Sequence, residues 1–147
     1  PRRRRRLRKA LAAASLAAML ATPAAAGERQ RATVLMSPDP NILRYQEEWG
    51  YADAVVTGDT IYLSGVIVGV REGGDPEVAF TRTFERIADI LKRAGASWDD
   101  AVEMTSYHTD LQTQMPIMVR VKQRFVKPPA IAWTAVEVSR LIPDRGI

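Results

Sequence analysis

The chain contains no cysteine and a single histidine among its 147 residues. The absence of cysteine excludes disulfides, thiolate nucleophiles and thiolate metal sites. No second histidine is available to complete a metal site with His108. Strongly apolar runs are also missing, because the apolar stretch at residues 10–21 is short and rich in alanine, whereas a transmembrane helix needs about 20 strongly apolar residues. We therefore expect neither a metal centre nor a permanent membrane anchor.

Charge is distributed unevenly along the chain. Residues 1–26 carry seven cations and no acid, which leaves fourteen Lys and Arg against 17 Asp and Glu in the remainder, a net charge of −3. The basic start, the apolar stretch and the alanines at residues 24–26 are typical of a cleavable signal peptide. We predict cleavage after Ala26 and a periplasmic or secreted protein, exported by the Sec route or, through its paired arginines, the twin-arginine route. An arginine-rich nucleic-acid arm is the alternative, but the acidic body gives no electrostatic case for nucleic-acid binding.

The segment that follows carries few structural signals. Residues 27–48 have no sustained hydrophobic period, so we interpret them as an N-terminal extension along the surface. Residues 37–41 form a turn cluster, and residues 33–36 suit a short edge strand. From Tyr51 the pattern is clearer, and residues 54–64 are predicted to form a β-hairpin around a Gly-Asp turn.

Helices and strands then alternate to the end of the chain. The predicted elements are a helix over residues 75–95, a strand over residues 101–109, a helix over residues 113–125 and a strand over residues 131–138. The first helix is the best defined, since Asp75 suits its N-cap, Pro76 its first position and Gly95 its end. This order predicts an α+β fold with both helices on one face of the sheet.

The last predicted strand is the one that organises the chain. Side chains alternate across a strand, so Trp133, Ala135 and Glu137 share one face while Thr134 and Val136 share the other. The first face carries an indole and a carboxylate, and we expect it to line any ligand pocket. The second face is predicted to be core.

Five short motifs occur in a characteristic order and spacing. They are Gly50-Tyr51 before an Ala-Val strand, Ile61-Tyr62-Leu63-Ser64-Gly65, the helix end Ala94-Gly95, the strand end Asp110-Leu111, and Val136-Glu137-Val138 before Arg140-Leu141. Together they resemble the RidA/YjgF family, also called Rid proteins or, in older usage, endoribonuclease L-PSP. The resemblance covers about residues 49–147. It implies a chorismate-mutase-like fold with a mixed β-sheet, assembled as a homotrimeric barrel with ligand clefts between adjacent subunits.

The resemblance also implies an activity, the hydrolysis of reactive 2-imino or enamino acids to 2-keto acids and ammonia, for which no cofactor is expected. In the family an arginine holds the substrate carboxylate in a bidentate grip. Counting back from Val136-Glu137-Val138, Trp133 occupies that position. Replacing the cation by an indole removes about 1.5 to 3 kcal/mol of charge-assisted hydrogen bonding. We therefore expect neutral, aromatic or cationic substrates to gain over small amino-acid-derived imines.

The same resemblance assigns six ligand-binding residues. They are Tyr51, Ser64, Gly65, Met118, Trp133 and Ala135. Met118 stands where the family has an asparagine, and Ala135 where it has a small cleft residue. Imine hydrolysis needs mainly orientation, a placed water and hydrogen-bond donors. Ser64 and His108 are the candidates for such a catalytic role.

Each candidate also has a structural interpretation. Trp133 could fill a subunit interface, Ser64-Gly65 could be a strand end that needs small residues, and Met118 could pack in the core. For His108, satisfaction by a neighbouring backbone carbonyl is the favoured interpretation. The corresponding alternative function is a non-catalytic trimer that binds a small apolar ligand or shields a partner protein.

Two further expectations concern the second helix and the C-terminus. Four cations of that helix and its end predict a solvated face: Arg120, Lys122, Arg124 and Lys127. The family's last strand would begin near Gly146, followed by a further cleft glutamate. We therefore expect the sequence to be cut short at its C-terminus.

Overall fold

The computed structural model describes residues 27–141. The predicted signal peptide at residues 1–26 and the expected strand near Gly146 lie outside these residues. In chain order the elements are α1 (Glu28–Arg31), β1 (Thr33–Leu35), α2 (Pro40–Trp49), β2 (Ala54–Thr57), β3 (Thr60–Leu63), α3 (Pro76–Arg93), β4 (Glu103–His108), α4 (Leu111–Phe125) and β5 (Ala132–Glu137). The predicted α+β class is confirmed. No helix within residues 27–141 is long and apolar enough to cross a membrane.

The strands pair in two ladders, one antiparallel and one parallel. In the first, β2 lies between β1 and β3, so β1 is the edge strand that the sequence predicts. The predicted hairpin is also confirmed, because Thr57 pairs with Thr60 around a two-residue turn. Gly58 opens that turn with a φ of 54°, a conformation that glycine adopts without steric cost. In the second ladder, β4 pairs in parallel with β5, and Ser106 lies opposite Ala135.

The core lies between the two long helices and the inner face of β4 and β5. Phe80 and Phe84 of α3 are buried against Met118 and Val121 of α4. The Phe84 ring also stacks on the Trp98 ring, with 5.1 Å between centroids. Burying each large apolar side chain contributes about 1.5 to 3 kcal/mol, so this cluster fixes α3 against α4 and both helices against the strands.

The core forms on the side of β5 opposite to the one predicted. Trp133 packs against the helix core, whereas Ala132, Thr134 and Val136 on the other face are exposed. The prediction that this second face is core is therefore wrong. Strand periodicity separates the two faces correctly, but only the placement of α3 and α4 decides which of them is covered.

The N-terminal extension contains a helix that the sequence analysis did not predict. Asp39 caps α2 by accepting a hydrogen bond from the backbone N–H of Asn41 at 2.8 Å, and Pro40 occupies the first helical position. Gly50 ends the helix with a φ of 70°. The interpretation of residues 37–41 as a simple turn is wrong, because this Asp-Pro pair starts a helix just as Asp75-Pro76 starts α3.

Candidate functional site

A cavity of about 330 Å³ lies between α2, the end of β3 and α3. It is lined by three of the six predicted ligand-binding residues, Tyr51, Ser64 and Gly65. The hairpin positions them, since Ser64 follows β3 directly and its backbone N–H donates to the carbonyl of Asp53 at 3.1 Å. Within residues 27–141, the side-chain hydroxyls of Tyr51 and Ser64 make no hydrogen bond. These two hydroxyls are available to a ligand.

A buried carboxylate, Asp53, forms part of the cavity wall. One of its oxygens accepts from Gln46 Nε2 at 2.8 Å, and the other accepts from Arg93 Nη1 at 2.9 Å. The Gln46 amide oxygen in turn accepts from the backbone N–H of Ser37 at 2.7 Å. This cluster ties the N-terminal extension to α3, and the sequence analysis missed it.

A second guanidinium, that of Arg86, also lines the cavity. Its Nη2 atom lies 3.8 Å from Asp53 Oδ1, too far for a hydrogen bond, and its side chain is 44% exposed. Arg86 and Arg93 are seven residues apart on α3, a spacing that places both on one face of a helix. This seven-residue spacing is the sequence signal that could have revealed the arginine side of the site.

The predicted residues on β4 and β5 belong to a different cluster. Trp133 Nε1 donates to Ser106 Oγ at 3.0 Å, Ser106 Oγ lies 2.9 Å from His108 Nε2, and His108 Nδ1 lies 3.1 Å from Gln114 Oε1. An indole N–H can only donate, so the Ser106 hydroxyl accepts from Trp133. Gln114 Nε2 donates to Thr109 Oγ1, which leaves Gln114 Oε1 as the acceptor facing His108 Nδ1. With the proton on Nδ1, His108 Nε2 accepts from the Ser106 hydroxyl.

His108 is therefore satisfied inside the chain, but not in the predicted way. The side chain is only 2% exposed, and its partners are the side chains of Ser106 and Gln114 rather than a backbone carbonyl. The expectation of a carbonyl partner is wrong, because the alternation of β4 brings Ser106 and His108 onto the same inner face. A catalytic role for His108 stays a prediction.

The ring of Trp133 already has a cation against it. The Lys122 ammonium lies 4.8 Å from the centroid of this ring, within the range of a cation–π interaction. Lys122 is half-buried as a result, so the prediction of a wholly solvated basic face is wrong for it. Arg120 and Arg124 pair with Glu77 of α3. Their guanidinium hydrogen bonds hold the pKa of Glu77 below its usual value.

Met118 and Ala135 complete the second cluster. Met118 is buried in the helix core, which agrees with its structural interpretation, and Ala135 is half-buried opposite Ser106. Neither residue lines the cavity beside Tyr51 and Ser64. The six predicted ligand-binding residues thus fall into two groups of three. Ligand contact by either group stays a prediction.

Glu137, predicted to share the Trp133 face, caps a helix instead of facing a pocket. Its carboxylate accepts from the backbone N–H of Leu111 at 2.8 Å. Asp110 accepts from the backbone N–H of Thr113 at 3.1 Å, which lowers the pKa of the Asp110 carboxyl. Two carboxylates at an N-terminus stabilise it, so α4 starts two residues earlier than predicted.

Comparison with known proteins gives consistent results for sequence and structure. The profile of the endoribonuclease L-PSP family matches residues 43–147. RutC family protein YjgH of Escherichia coli (strain K12) is 38% identical over 99 residues, which are 64% of this chain and 75% of that protein. A solved structure of protein YJGH has a TM-score of 0.65 and 31% identity, covering 82% of this chain and 91% of that one.

A further similar structure is RidA from the Antarctic bacterium Psychrobacter sp. PAMC 21119. Its TM-score is 0.56 at 29% identity, covering 66% of this chain and 80% of that one. The family match spans most of the chain, including the hairpin, both long helices and the parallel strand pair. The resemblance drawn from short motifs is thereby confirmed, and the chain belongs to the RidA/YjgF family, whose family-level description is endoribonuclease L-PSP.

Proposed function

We propose that this protein is an exported deaminase that hydrolyses reactive imines or enamines to a carbonyl compound and ammonia. The observation that carries the proposal is the cavity beside β3, where the hydroxyls of Tyr51 and Ser64 have no intramolecular partner among the described residues. Membership of the family supports the reaction class. Residues 1–26 support export through their signal-peptide pattern.

Imine hydrolysis requires well-positioned polar groups but no strong protein nucleophile. Water adds to the carbon of the protonated C=N bond, and the resulting amino alcohol expels ammonia and leaves the carbonyl product. Ser64 hydroxyl can orient the water, and the Tyr51 phenol can hydrogen-bond to the nitrogen as its charge changes. Holding both reactants in one cavity supplies much of the remaining rate enhancement.

Substrate preference follows from position 133. The indole N–H of Trp133 is engaged with Ser106 and its ring with Lys122. The side chain therefore offers no free donor to a carboxylate, and still less a bidentate one. We propose that imines with a larger apolar or aromatic body are hydrolysed in preference to small amino-acid-derived imines.

Assembly as a homotrimer belongs to the same proposal. The exposed face of β4 and β5 carries Tyr107 and Val136, which are 57% and 37% exposed. Large apolar side chains on an uncovered sheet face favour contact with another subunit. Solution scattering that gives a monomer at assay concentration would contradict this part.

The activity is tested on the purified protein with freshly generated imines of three kinds: amino-acid-derived, neutral and aromatic. Semicarbazide trapping and an ammonia assay report hydrolysis. We expect the strongest acceleration for the aromatic members, reduced in Ser64→Ala but not in Thr60→Ala, which removes an exposed hydroxyl at the hairpin turn. No acceleration of any member would overturn the proposed activity. N-terminal sequencing of the protein from its native cells tests export, with Gly27 expected as first residue.

A second candidate function is a non-catalytic binder of a small apolar or aromatic molecule. It is favoured by the cluster around β5, where Met118 is buried in the core and the indole N–H of Trp133 donates to Ser106. Neither side chain therefore offers a polar group to a reacting imine. A binder holds its ligand without turnover, so saturable binding of an aromatic imine with no ammonia release would select this function. Trp133 fluorescence, compared with that of Trp133→Phe, reports whether the indole senses the ligand.

A further inference from the structure

Arg86 gives the cavity a cation that position 133 lacks. We propose that the Arg86 guanidinium is the anion-binding group of this cavity, and that it receives the acid group of a ligand whose apolar or aromatic body fills the rest. The inference rests on Arg86, its neighbour Asp53 and the apolar wall between α2 and α3.

Within residues 27–141, the Arg86 guanidinium has only one distant anionic partner, Asp53. Asp53 accepts its short hydrogen bonds from Gln46 and Arg93, at 2.8 and 2.9 Å, and both of its oxygens are thereby engaged. Arg86 approaches the same carboxylate only to 3.8 Å. Among residues 27–141 no hydrogen bond of the Arg86 guanidinium is formed. One carboxylate thus faces two guanidinium groups, and the looser one has a surplus charge and free N–H groups.

The other carboxylate of the cavity, Asp39, does not cancel this surplus in the same way. It is the N-cap of α2, and its Oδ1 atom accepts from the Asn41 backbone N–H at 2.8 Å. The partial positive charge of a helix N-terminus offsets a carboxylate at that position. A ligand anion therefore has one cationic partner among the residues that line the cavity, the Arg86 guanidinium of α3.

The remainder of the wall suits a flat apolar body. Ile42 and Tyr45 contribute from α2, Ile67 from the segment after β3, and Ile90 from α3, one turn beyond Arg86. Tyr51 lines the same space. Aromatic and aliphatic walls with a few placed polar groups are the usual composition of small-molecule sites. The chemical class that fits is an aryl or alkyl carboxylate larger than a small amino-acid derivative.

This inference rests on the proposed function only in treating the cavity as the ligand site, and its test measures binding instead of turnover. The probe pair is 3-phenylpropanoate and its neutral amide, 3-phenylpropanamide, titrated into the protein while the backbone amide signals of Ser64 and Gly65 are followed by NMR. We expect the acid to bind about tenfold more tightly than the amide, at the lower end for a hydrogen bond to a charged group because Arg86 is partly exposed.

The variants assign that preference to one side chain. Arg86→Gln should abolish the preference for the acid over the amide, while Arg86→Lys should keep part of this preference because the charge remains and the planar fork is lost. Arg82→Gln is the matched control, since it removes an equal charge from the exposed surface of the same helix. Urea unfolding of each variant shows that the fold is retained.

Three results would overturn the inference. They are equal binding of acid and amide to the unsubstituted protein, equal loss in Arg82→Gln and Arg86→Gln, and NMR shifts confined to amides outside the cavity. Binding with the expected preference but without imine turnover would overturn the proposed activity and leave the Arg86 assignment standing.

Discussion

Two clusters of polar side chains in this protein differ in how many of their hydrogen-bonding groups have a partner within the cluster. In the cavity cluster, Asp53 engages Gln46 and Arg93, and Arg86 is left with a distant partner. In the strand cluster, a chain of hydrogen bonds runs from Trp133 through Ser106 and His108 to Gln114, and every donor has an acceptor. The first cluster therefore has guanidinium N–H groups available to a ligand, whereas the hydrogen-bond donors of the second cluster are already paired.

The difference shows where function is to be sought in this chain. The resemblance to the family directs attention to β5, where Trp133 is predicted to occupy the position of the family's arginine. In this protein the side chains around Trp133 form hydrogen bonds with one another and so connect β4, β5 and α4. The available hydroxyls and the available cation lie instead between α2 and α3. Ligand contact by Trp133 stays a prediction, but its indole N–H already donates to Ser106 and is not available to a ligand.

The largest effect that tests this comparison is expected at Asp53. Asp53→Ala removes the buried partner of both Gln46 and Arg93, so we expect a loss of about 3 kcal/mol in the free energy of unfolding, at the lower end for a broken buried ion pair because Arg93 is partly exposed. Urea unfolding measures it. Asp89→Ala, an exposed acid on α3, is the control and should change stability by less than about 0.5 kcal/mol. A similar loss in both variants would contradict a structural role for the Asp53 cluster.

The next effect concerns the strand cluster. Ser106→Ala leaves the Trp133 N–H and His108 Nε2 without their shared partner, which should cost about 1 to 3 kcal/mol of unfolding free energy. Thr60→Ala is the control, because it removes an exposed hydroxyl at the hairpin turn, away from β4 and β5. If the two variants lost equal stability, the chain of hydrogen bonds would not be a closed structural unit.

Local signals in the sequence were sufficient for most of the fold. Asp75 and Pro76 define the start of α3, and the turn at Gly58 defines the hairpin, because caps and turns depend on residues a few positions apart. The same signal at Asp39 and Pro40 was present but was interpreted as a turn, since neighbouring Ser and Pro residues obscured it. The sequence thus contained the signal for α2, but the neighbouring turn-forming residues were given more weight.

Apart from the helical spacing of Arg86 and Arg93, the candidate site depended on contacts between residues far apart in the sequence. Asp53 meets Arg93 across 40 positions of sequence, and only the packing of α3 beside the hairpin brings them together. The alternation of β5 placed Trp133 on a face correctly, yet which face the helices cover is a tertiary property. Tyr51, Ser64 and Gly65 were found through the family resemblance, whereas Arg86 lies outside the motifs that carry it.

A smaller effect is expected for the cation over the indole. Lys122→Met keeps most of the aliphatic stem but removes the charge, so the loss should be about 0.5 to 1 kcal/mol of unfolding free energy for a partly exposed pair. A double-mutant cycle with Trp133→Leu isolates the interaction. A coupling energy indistinguishable from zero would mean that the Trp133 ring is not engaged by Lys122. The indole would then be open to a ligand cation, and the contrast between the two clusters would weaken.

The smallest effect lies outside both clusters, at the surface pairs of Glu77 with Arg120 and Arg124. Hydrogen bonds from these guanidinium groups lower the folded-state pKa of Glu77 from its ordinary value of 4.5. A carboxyl with a depressed pKa stabilises the fold above its unfolded-state value, and this contribution is lost as the pH falls through the folded-state value. The stability difference between the unsubstituted protein and Glu77→Gln should therefore be present near neutral pH and shrink once the pH falls below 4.5. About 0.5 M salt should reduce the difference at neutral pH, because exposed pairs are screened. A difference that persisted in acid would show that Glu77 acts through packing or through the start of α3 instead of through its charge.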